Sequence, residues 1–185
     1  ITKYFKGMTP PNLEELRAKN SKYIDPYFPP TEGSLTSKNS KGEYTDPLKG
    51  YQNERDFNSA YPKDKHGWRR ISELGDGGNW RVFKDKIEPG DVTQGMIGDC
   101  YFISAVAALT EYPNLIFEKF RTREYNDIGY YEMVLFIDGE WQIVFVDDYF
   151  PFYGNQFVFA QPNSKEMYAI LLEKAWAKIN GGYSN

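Results

Sequence analysis

Cys100 is the only cysteine among the 185 residues. It closes a glycine-bearing stretch, Thr93-Gln94-Gly95-Met96-Ile97-Gly98-Asp99-Cys100-Tyr101-Phe102. A thiol attacks as thiolate, so a nucleophilic cysteine needs surroundings that favour negative charge on sulfur. A helix start offers them, because its first N–H groups are unpaired and its dipole is positive there. Residues 100–110, CYFISAVAALT, are apolar at helical spacing and nearly all round, the pattern of a buried helix opening at the cysteine. Gly95 and Gly98 let the backbone turn tightly and approach a substrate. Gln94 is a neutral amide donor, and with the Cys100 N–H it makes a candidate oxyanion hole. The competing reading of Cys100 is a small buried side chain, since free cysteine is among the most buried residue types. A nucleophile also needs a base. His66 is the only histidine, and Lys63-Asp64-Lys65-His66-Gly67 reads as a solvated turn.

Other groupings carry less chemistry. Asp147 and Asp148 are adjacent at a predicted strand end and point to opposite faces, so they read as a terminating polar pair. Asp99 beside Cys100 would oppose a thiolate unless turned towards backbone N–H groups. Gly75-Asp76-Gly77-Gly78 lacks the Lys-Ser/Thr of a phosphate loop. Met167, Ile170, Leu171, Lys174, Ala175 and Lys178 form a helical stripe that reads as core with snorkelling lysines.

The elements that must position these groups are partly legible. LEELRAK (13–19) predicts a short helix with Asn12 as N-cap and acids in its first turn. Proline- and glycine-marked turns then run to residue 65. With their many aromatics they read as an extended arm laid over a core, disorder being the alternative. YYEMVLFI (130–137) and WQIVFV (141–146) flank Asp138-Gly139, a strong hairpin signal. A further strand is expected over 156–160. Pro113 reads as a stop after the cysteine helix. Ser164 to Asn180 reads as an amphipathic helix capped by Ser164 and ended by Gly181-Gly182.

Composition sets the limits. Aromatics make up 17% of the chain, with 15 Tyr and 13 Phe, which supports a folded core despite a mean hydropathy of −0.65. A net charge of −4 gives no global basic field for nucleic acid or anionic lipid. No stretch is apolar long enough to span a bilayer. One cysteine excludes an internal disulfide framework, and the bland expectation is a soluble intracellular domain. The chain opens on Ile1 and stops at Tyr183-Ser184-Asn185, directly after a helical stretch. It reads as a piece of a longer protein.

Gln94-Gly95-Met96-Ile97-Gly98-Asp99-Cys100-Tyr101, followed by Ala105-Val106-Ala107-Ala108-Leu109-Thr110, resembles the nucleophile segment of the calpains, papain-like cysteine proteases activated by calcium. Upstream, Glu14-Glu15-Leu16-Arg17, Asp25-Pro26-Tyr27-Phe28-Pro29 and Trp68-Arg69-Arg70-Ile71-Ser72-Glu73 are similar to the approach to a calpain core. Downstream, Gly139-Glu140-Trp141, Val146-Asp147-Asp148 and Leu171-Leu172-Glu173-Lys174-Ala175-Trp176-Ala177-Lys178 resemble its closing half. The resemblance covers roughly residues 12–185. One departure is Tyr101, where calpains usually carry Trp.

The resemblance implies an α+β fold: the left half of a papain-like protease, mainly helical with a small antiparallel hairpin. Residues 1–65 would be the N-terminal arm and residues 66–185 the nucleophile-bearing first subdomain. It implies Cys100 as nucleophile and Gln94 in the oxyanion hole, with the His and Asn of the triad on a second subdomain absent from this chain. The isolated 185 residues are therefore expected to be inactive. The implied cofactor is Ca2+, with Asp91 and Glu166 as side-chain ligands and the carbonyls of Lys84 and Lys86 as backbone ligands. Lys86 stands where the family commonly has Gly, and two ammonium groups nearby would weaken cation binding. The competing reading has Asp91 capping a turn and Glu166 in the first turn of its helix. Implied partners are protein substrates and the other domains of a cytoplasmic parent, with no nucleic acid and no membrane span. A non-catalytic calpain-like scaffold or interaction module is the alternative.

Overall fold

Asp138 and Gly139 both adopt positive φ, 51° and 83°, the backbone of a two-residue hairpin turn. They join β6 (Tyr130–Ile137) to β7 (Glu140–Asp147) in unbroken antiparallel register from Tyr130↔Asp147 to Ile137↔Glu140. In the computed structural model, which describes residues 2–35, 37–38, 44–45, 66–75, 78–84, 86–93 and 100–183, this hairpin carries the largest sheet. Its other edge strand is β1 (Lys3–Tyr4), parallel to β7. Among the described residues the chain continues with α1 (Leu13–Ala18), α2 (Glu32–Leu35), and the short pair β2 (Ser37–Lys38) and β3 (Tyr44–Thr45). Asn12 caps α1 as expected, its side-chain oxygen accepting from the Glu15 N–H.

A second sheet was not legible in the sequence. β4 (His66–Arg70) pairs antiparallel with β8 (Tyr149–Tyr153), which pairs in turn with β9 (Gln156–Phe157). A single residue, Asp148, separates the end of β7 from the start of β8, whose Pro151 faces Trp68 in register. The expected strand over 156–160 contracts to β9. A third pairing joins β5 (Val92–Thr93) to β10 (Gln161–Pro162). It ties the residues before the nucleophile segment to those before the last helix.

α3 (Cys100–Leu109) opens at the cysteine as predicted, and α4 (Pro113–Phe117) follows. Pro113 starts α4 at its first turn, where a missing N–H costs nothing. α5 (Tyr168–Asn180) ends on Gly181 in the left-handed region, as expected. Its start differs from the expectation. Ser164 and Lys165 both have positive φ, so they form a turn, and Met167 occupies the N-cap position.

The burial of the two long helices reverses the sequence expectation. α5 is enclosed on nearly every side in its first half, with Met167 to Leu171 all buried. α3 inserts Val106, and partly Phe102 and Ile103, into the core, but leaves Tyr101 56% and Leu109 42% exposed. Its apolar circumference therefore does not make it the central helix of this chain. Nor are the described residues mainly helical. Two eight-residue strands and a second sheet stand beside five helices, which corrects that part of the predicted fold class.

One apolar core joins β6, β7, β8 and α5 around Tyr131, Val146, Phe150 and Ile170. A smaller cluster binds the residues before α1 and after it to the sheet. Tyr23 meets Tyr130 edge-on at 5.1 Å, and Tyr4 meets Phe145 edge-on at 5.9 Å. Such rings combine area burial with a preferred quadrupole geometry.

Candidate active site and cation site

Cys100 is the first residue of α3, where the helix leaves its opening N–H groups without intrahelical partners. Its side chain, and the whole of residues 94–99 including Gln94 and Asp99, lie outside the described residues. The elements on either side are well anchored. β5 delivers the chain to residue 94 through its pairing with β10. Downstream, the Tyr101 hydroxyl accepts a hydrogen bond from the Trp176 indole N–H at 3.0 Å, and Phe102 lies against the same indole with centroids 6.2 Å apart. α5 thus holds the first turn of α3 through an aromatic pair that is half open to solvent. Thr110 closes the other end, its hydroxyl donating to the Ala107 carbonyl at 2.6 Å.

His66 is a strand residue, the first of β4 and paired with Tyr153, so the expected solvated turn is corrected at this position. Its side chain is outside the described residues.

The candidate cation ligands fall on two segments that are clamped together. Arg81 N–H donates to the Lys165 carbonyl at 3.1 Å, and the N–H groups of Met167 and Tyr168 donate back to Arg81 and Val82 at 2.8 and 3.1 Å. Glu166, buried beside this ladder, accepts the Lys84 N–H on Oε1 at 2.6 Å. Asp91 accepts the Glu88 N–H at 2.6 Å and the Tyr168 hydroxyl at 3.2 Å on Oδ2, while its carbonyl takes the Asn163 N–H at 2.7 Å. Glu166 therefore precedes α5 instead of sitting in its first turn. Burial and the Asp91 carboxylate together push the Tyr168 phenol well above the usual tyrosine range. Lys86 directs its ammonium towards Glu88, at 3.8 Å and largely exposed, so its charge has a local counterion.

Among the described residues no group of three or more His, Cys, Asp and Glu side chains could hold a metal. A cation here would need backbone oxygens as well. Two carboxylates with the carbonyls of Lys84 and Lys86 make an all-oxygen set of the hardness calcium prefers, so the donor chemistry fits. Both carboxylates also fasten the loop through N–H groups.

Sequence reasoning missed the most buried polar chemistry among the described residues. Lys174 and Lys178 do not snorkel; they are 0% and 4% exposed. Lys174 pairs with Asp147 and donates to the Tyr149 carbonyl. Lys178 donates to Asp25 Oδ2 and to the Phe145 carbonyl, each at 2.6 Å. Asp147 reaches further, its Oδ2 accepting the Asp25 N–H at 2.7 Å. Asp148 turns the other way and pairs with buried Arg70, whose guanidinium also donates to the Tyr23 carbonyl. The opposed directions predicted for Asp147 and Asp148 are thus what the structure shows. Burial lowers the Lys178 pKa against the pull of Asp25, and burial raises that of Asp148 against the pull of Arg70. Two lysines four residues apart on an otherwise apolar stripe were the available signal.

The sequence of residues 23–185 matches the family profile described as calpain family cysteine protease. The chain belongs to the calpain family. Over 104 residues it is 42% identical to the calpain-type cysteine protease DEK1 of Zea mays, covering 55% of the chain and 5% of that protein. The Arabidopsis thaliana protein of the same name is 38% identical over 115 residues, 61% of the chain and 5% of the relative. Calpain-5 of Mus musculus is 29% identical over 171 residues, 87% of the chain and 23% of the relative. This calpain-family chain thus spans a small part of each relative's length. No helix among its described residues is long and apolar enough to cross a membrane.

Proposed function

We propose that this chain is the nucleophile-bearing part of a calcium-dependent cysteine endopeptidase of calpain type. The observation that carries the reading is family membership over 23–185 together with a helix that opens at the only cysteine. Cys100 is the nucleophile, and Gln94 with the Cys100 N–H stabilises the oxyanion that forms as sulfur adds to a peptide carbonyl. The amide nitrogen leaves with a proton from an acid, and water then releases the acyl group from the thioester. The acid/base is proposed to be a histidine on a second papain-like subdomain, oriented by an asparagine there; residues 1–65 serve as the arm and 66–185 as the first subdomain. The lone histidine of this chain stands in β4, ahead of the nucleophile, so the 185 residues alone are expected not to turn over substrate. Asp91 and Glu166, with the carbonyls of Lys84 and Lys86, would hold Ca2+, which supplies positive charge that fixes the loop ahead of Cys100. Protein substrates, further domains of the parent and a cytoplasmic setting complete the proposal.

The test is an epoxide active-site probe applied to the full-length parent with and without calcium. Calcium-dependent labelling at Cys100, lost in Cys100→Ala, is the expected result. Tyr101, at a position where calpains usually carry Trp, favours a second reading as a non-catalytic scaffold. A folded, calcium-loaded parent that leaves Cys100 unlabelled decides for the scaffold.

A further inference from the structure

Between the N-terminal segment and the loop that leads into β6 lies a half-open cleft of about 700 Å³, within the size range of ligand sites. One wall is Pro10-Pro11 and the Leu13/Arg17 face of α1; the opposite wall is residues 121–126, and Tyr4, Ile128 and Tyr130 line it between them. Three arginines, Arg17, Arg121 and Arg123, line this one space in a chain whose net charge is −4. Their acidic neighbours offset them only in part. Glu132 is already engaged, accepting the Tyr4 hydroxyl at 3.0 Å and the Tyr130 hydroxyl at 2.6 Å, with Arg121 Nε at 3.4 Å. Glu124 is the one other carboxylate of the lining.

Two of the guanidinium groups are held in advance of any ligand. Arg121 is anchored through Nε on Glu132. Arg123 donates its Nε–H to the Phe120 carbonyl at 2.9 Å and lies over the Phe117 ring at 4.2 Å. Both are therefore fastened at the Nε edge. Among the described residues, nothing engages the terminal nitrogens of Arg123, and the Arg17 side chain has no ion-pair or hydrogen-bond partner. A planar fork already fixed in place loses little rotamer freedom when it takes an oxyanion in bidentate fashion.

We propose that this cleft is a docking groove for an extended peptide segment carrying carboxylate or phosphate side chains, gripped by Arg17, Arg121 and Arg123 over the tyrosine and proline surface. The prolines and rings offer apolar contact to a peptide backbone and its side-chain stems, which a free inorganic anion could not use. Carboxylate and phosphate present the same paired oxygens to a guanidinium, so either serves. The proposal is independent of the chemistry at Cys100.

The test uses fluorescein-labelled ten-residue peptides of one apolar framework carrying Glu, phosphoserine or Gln at alternate positions, titrated with the full chain by fluorescence anisotropy. The Glu or the phosphoserine peptide is expected to bind, the stronger naming the source of the oxyanion, and the Gln peptide not. Binding weakens between 50 and 300 mM salt, concentrations on the order of those over which a surface ion pair becomes screened. Arg17→Ala with Arg123→Ala is expected to weaken binding about tenfold, the equivalent of two modest rim ion pairs. Both side chains are exposed, and an unchanged melting temperature confirms that the variant is folded. Equal binding of the Gln peptide, no binding of any peptide, or binding that the double variant leaves intact overturns the proposal. So does binding of phosphatidylserine vesicles without binding of either anionic peptide.

Discussion

Asp25→Ala isolates the energetics of the buried charges. Asp25 is fully buried and gives Lys178 its one direct carboxylate contact among the described residues, at 2.6 Å. After the substitution the ammonium keeps the Phe145 carbonyl and the Phe145 ring at 4.1 Å and the more distant charge of Asp147, but no carboxylate bonded to it. Breaking one side of such a pair costs about 3–5 kcal/mol, because the surviving charge stays buried. Lys178→Met leaves the Asp25 carboxylate with the Tyr27 N–H at 3.0 Å and the Tyr23 hydroxyl at 3.4 Å, and should cost a similar amount. Removing both charges together, in Asp25→Leu/Lys178→Met, should return the chain to within about 2 kcal/mol of its starting stability. Urea unfolding monitored by tryptophan fluorescence is the assay. With a slope of about 3 kcal/mol/M, each single variant should lower the midpoint by roughly 1–1.7 M, and the double variant by much less. Additive losses in the double variant would refute the reasoning, since they would mean that the two groups do not share one energetic unit.

Four further outcomes follow from other features. Burial lowers the folded-state pKa of Lys178 while the unfolded value stays near 10.5; the unfolded chain then binds more protons, so this group adds stability as pH rises from the folded pKa towards 10.5. Unfolding of the parent chain and Lys178→Met at pH 8 and pH 10 should therefore show a wider stability gap at the higher pH. Gly139→Ala meets open space and should lose about 1 kcal/mol from its positive φ alone, whereas Gly129→Ala also overlaps Asp148 and lies 2.8 Å from Arg70, and should lose at least twice as much in the same denaturation assay. Trp176→Phe removes the donor to the Tyr101 hydroxyl at a half-exposed site, so thermal stability should fall by no more than about 1 kcal/mol while probe labelling of Cys100 in the parent slows. Calcium titration followed by isothermal calorimetry should lose its binding signal in both Asp91→Ala and Glu166→Ala, and an unchanged isotherm removes these ligands from the proposal.

What could be read in the sequence was local. Asp138-Gly139 gave away the hairpin because its turn demands positive φ at two successive residues, and Asn12 gave away α1 because an N-cap acts within three positions. Gly181 marked the end of α5 for the same kind of reason. β8 stayed hidden since YFPFY contains a proline and has no polar alternation: it is the central strand between β4 and β9, and its successive residues Phe150, Pro151 and Phe152 are all buried. The start of α5 was misplaced because Ser164 resembles a cap, yet the backbone there turns through two left-handed residues. At the candidate site, the cysteine motif was legible as a short contiguous pattern. The pairing of β5 with β10, which brings Asp91 and Glu166 onto neighbouring segments, was not. Nor were the partners of Lys174 and Lys178, for a helical stripe shows which residues face inward but not what meets them.

The bond from Lys178 to Asp25 joins residues 153 positions apart, and this has a bearing on how the chain is made. During synthesis Asp25 emerges early and stays hydrated until α5 has left the ribosome. β1 likewise has no strand to join until β7 exists. Contacts of such long range make folding slow and late. The earlier-made residues of this stretch are thus among the last to settle, and a nascent chain stalled before residue 178 should leave residues 2–25 open to proteases and chaperones.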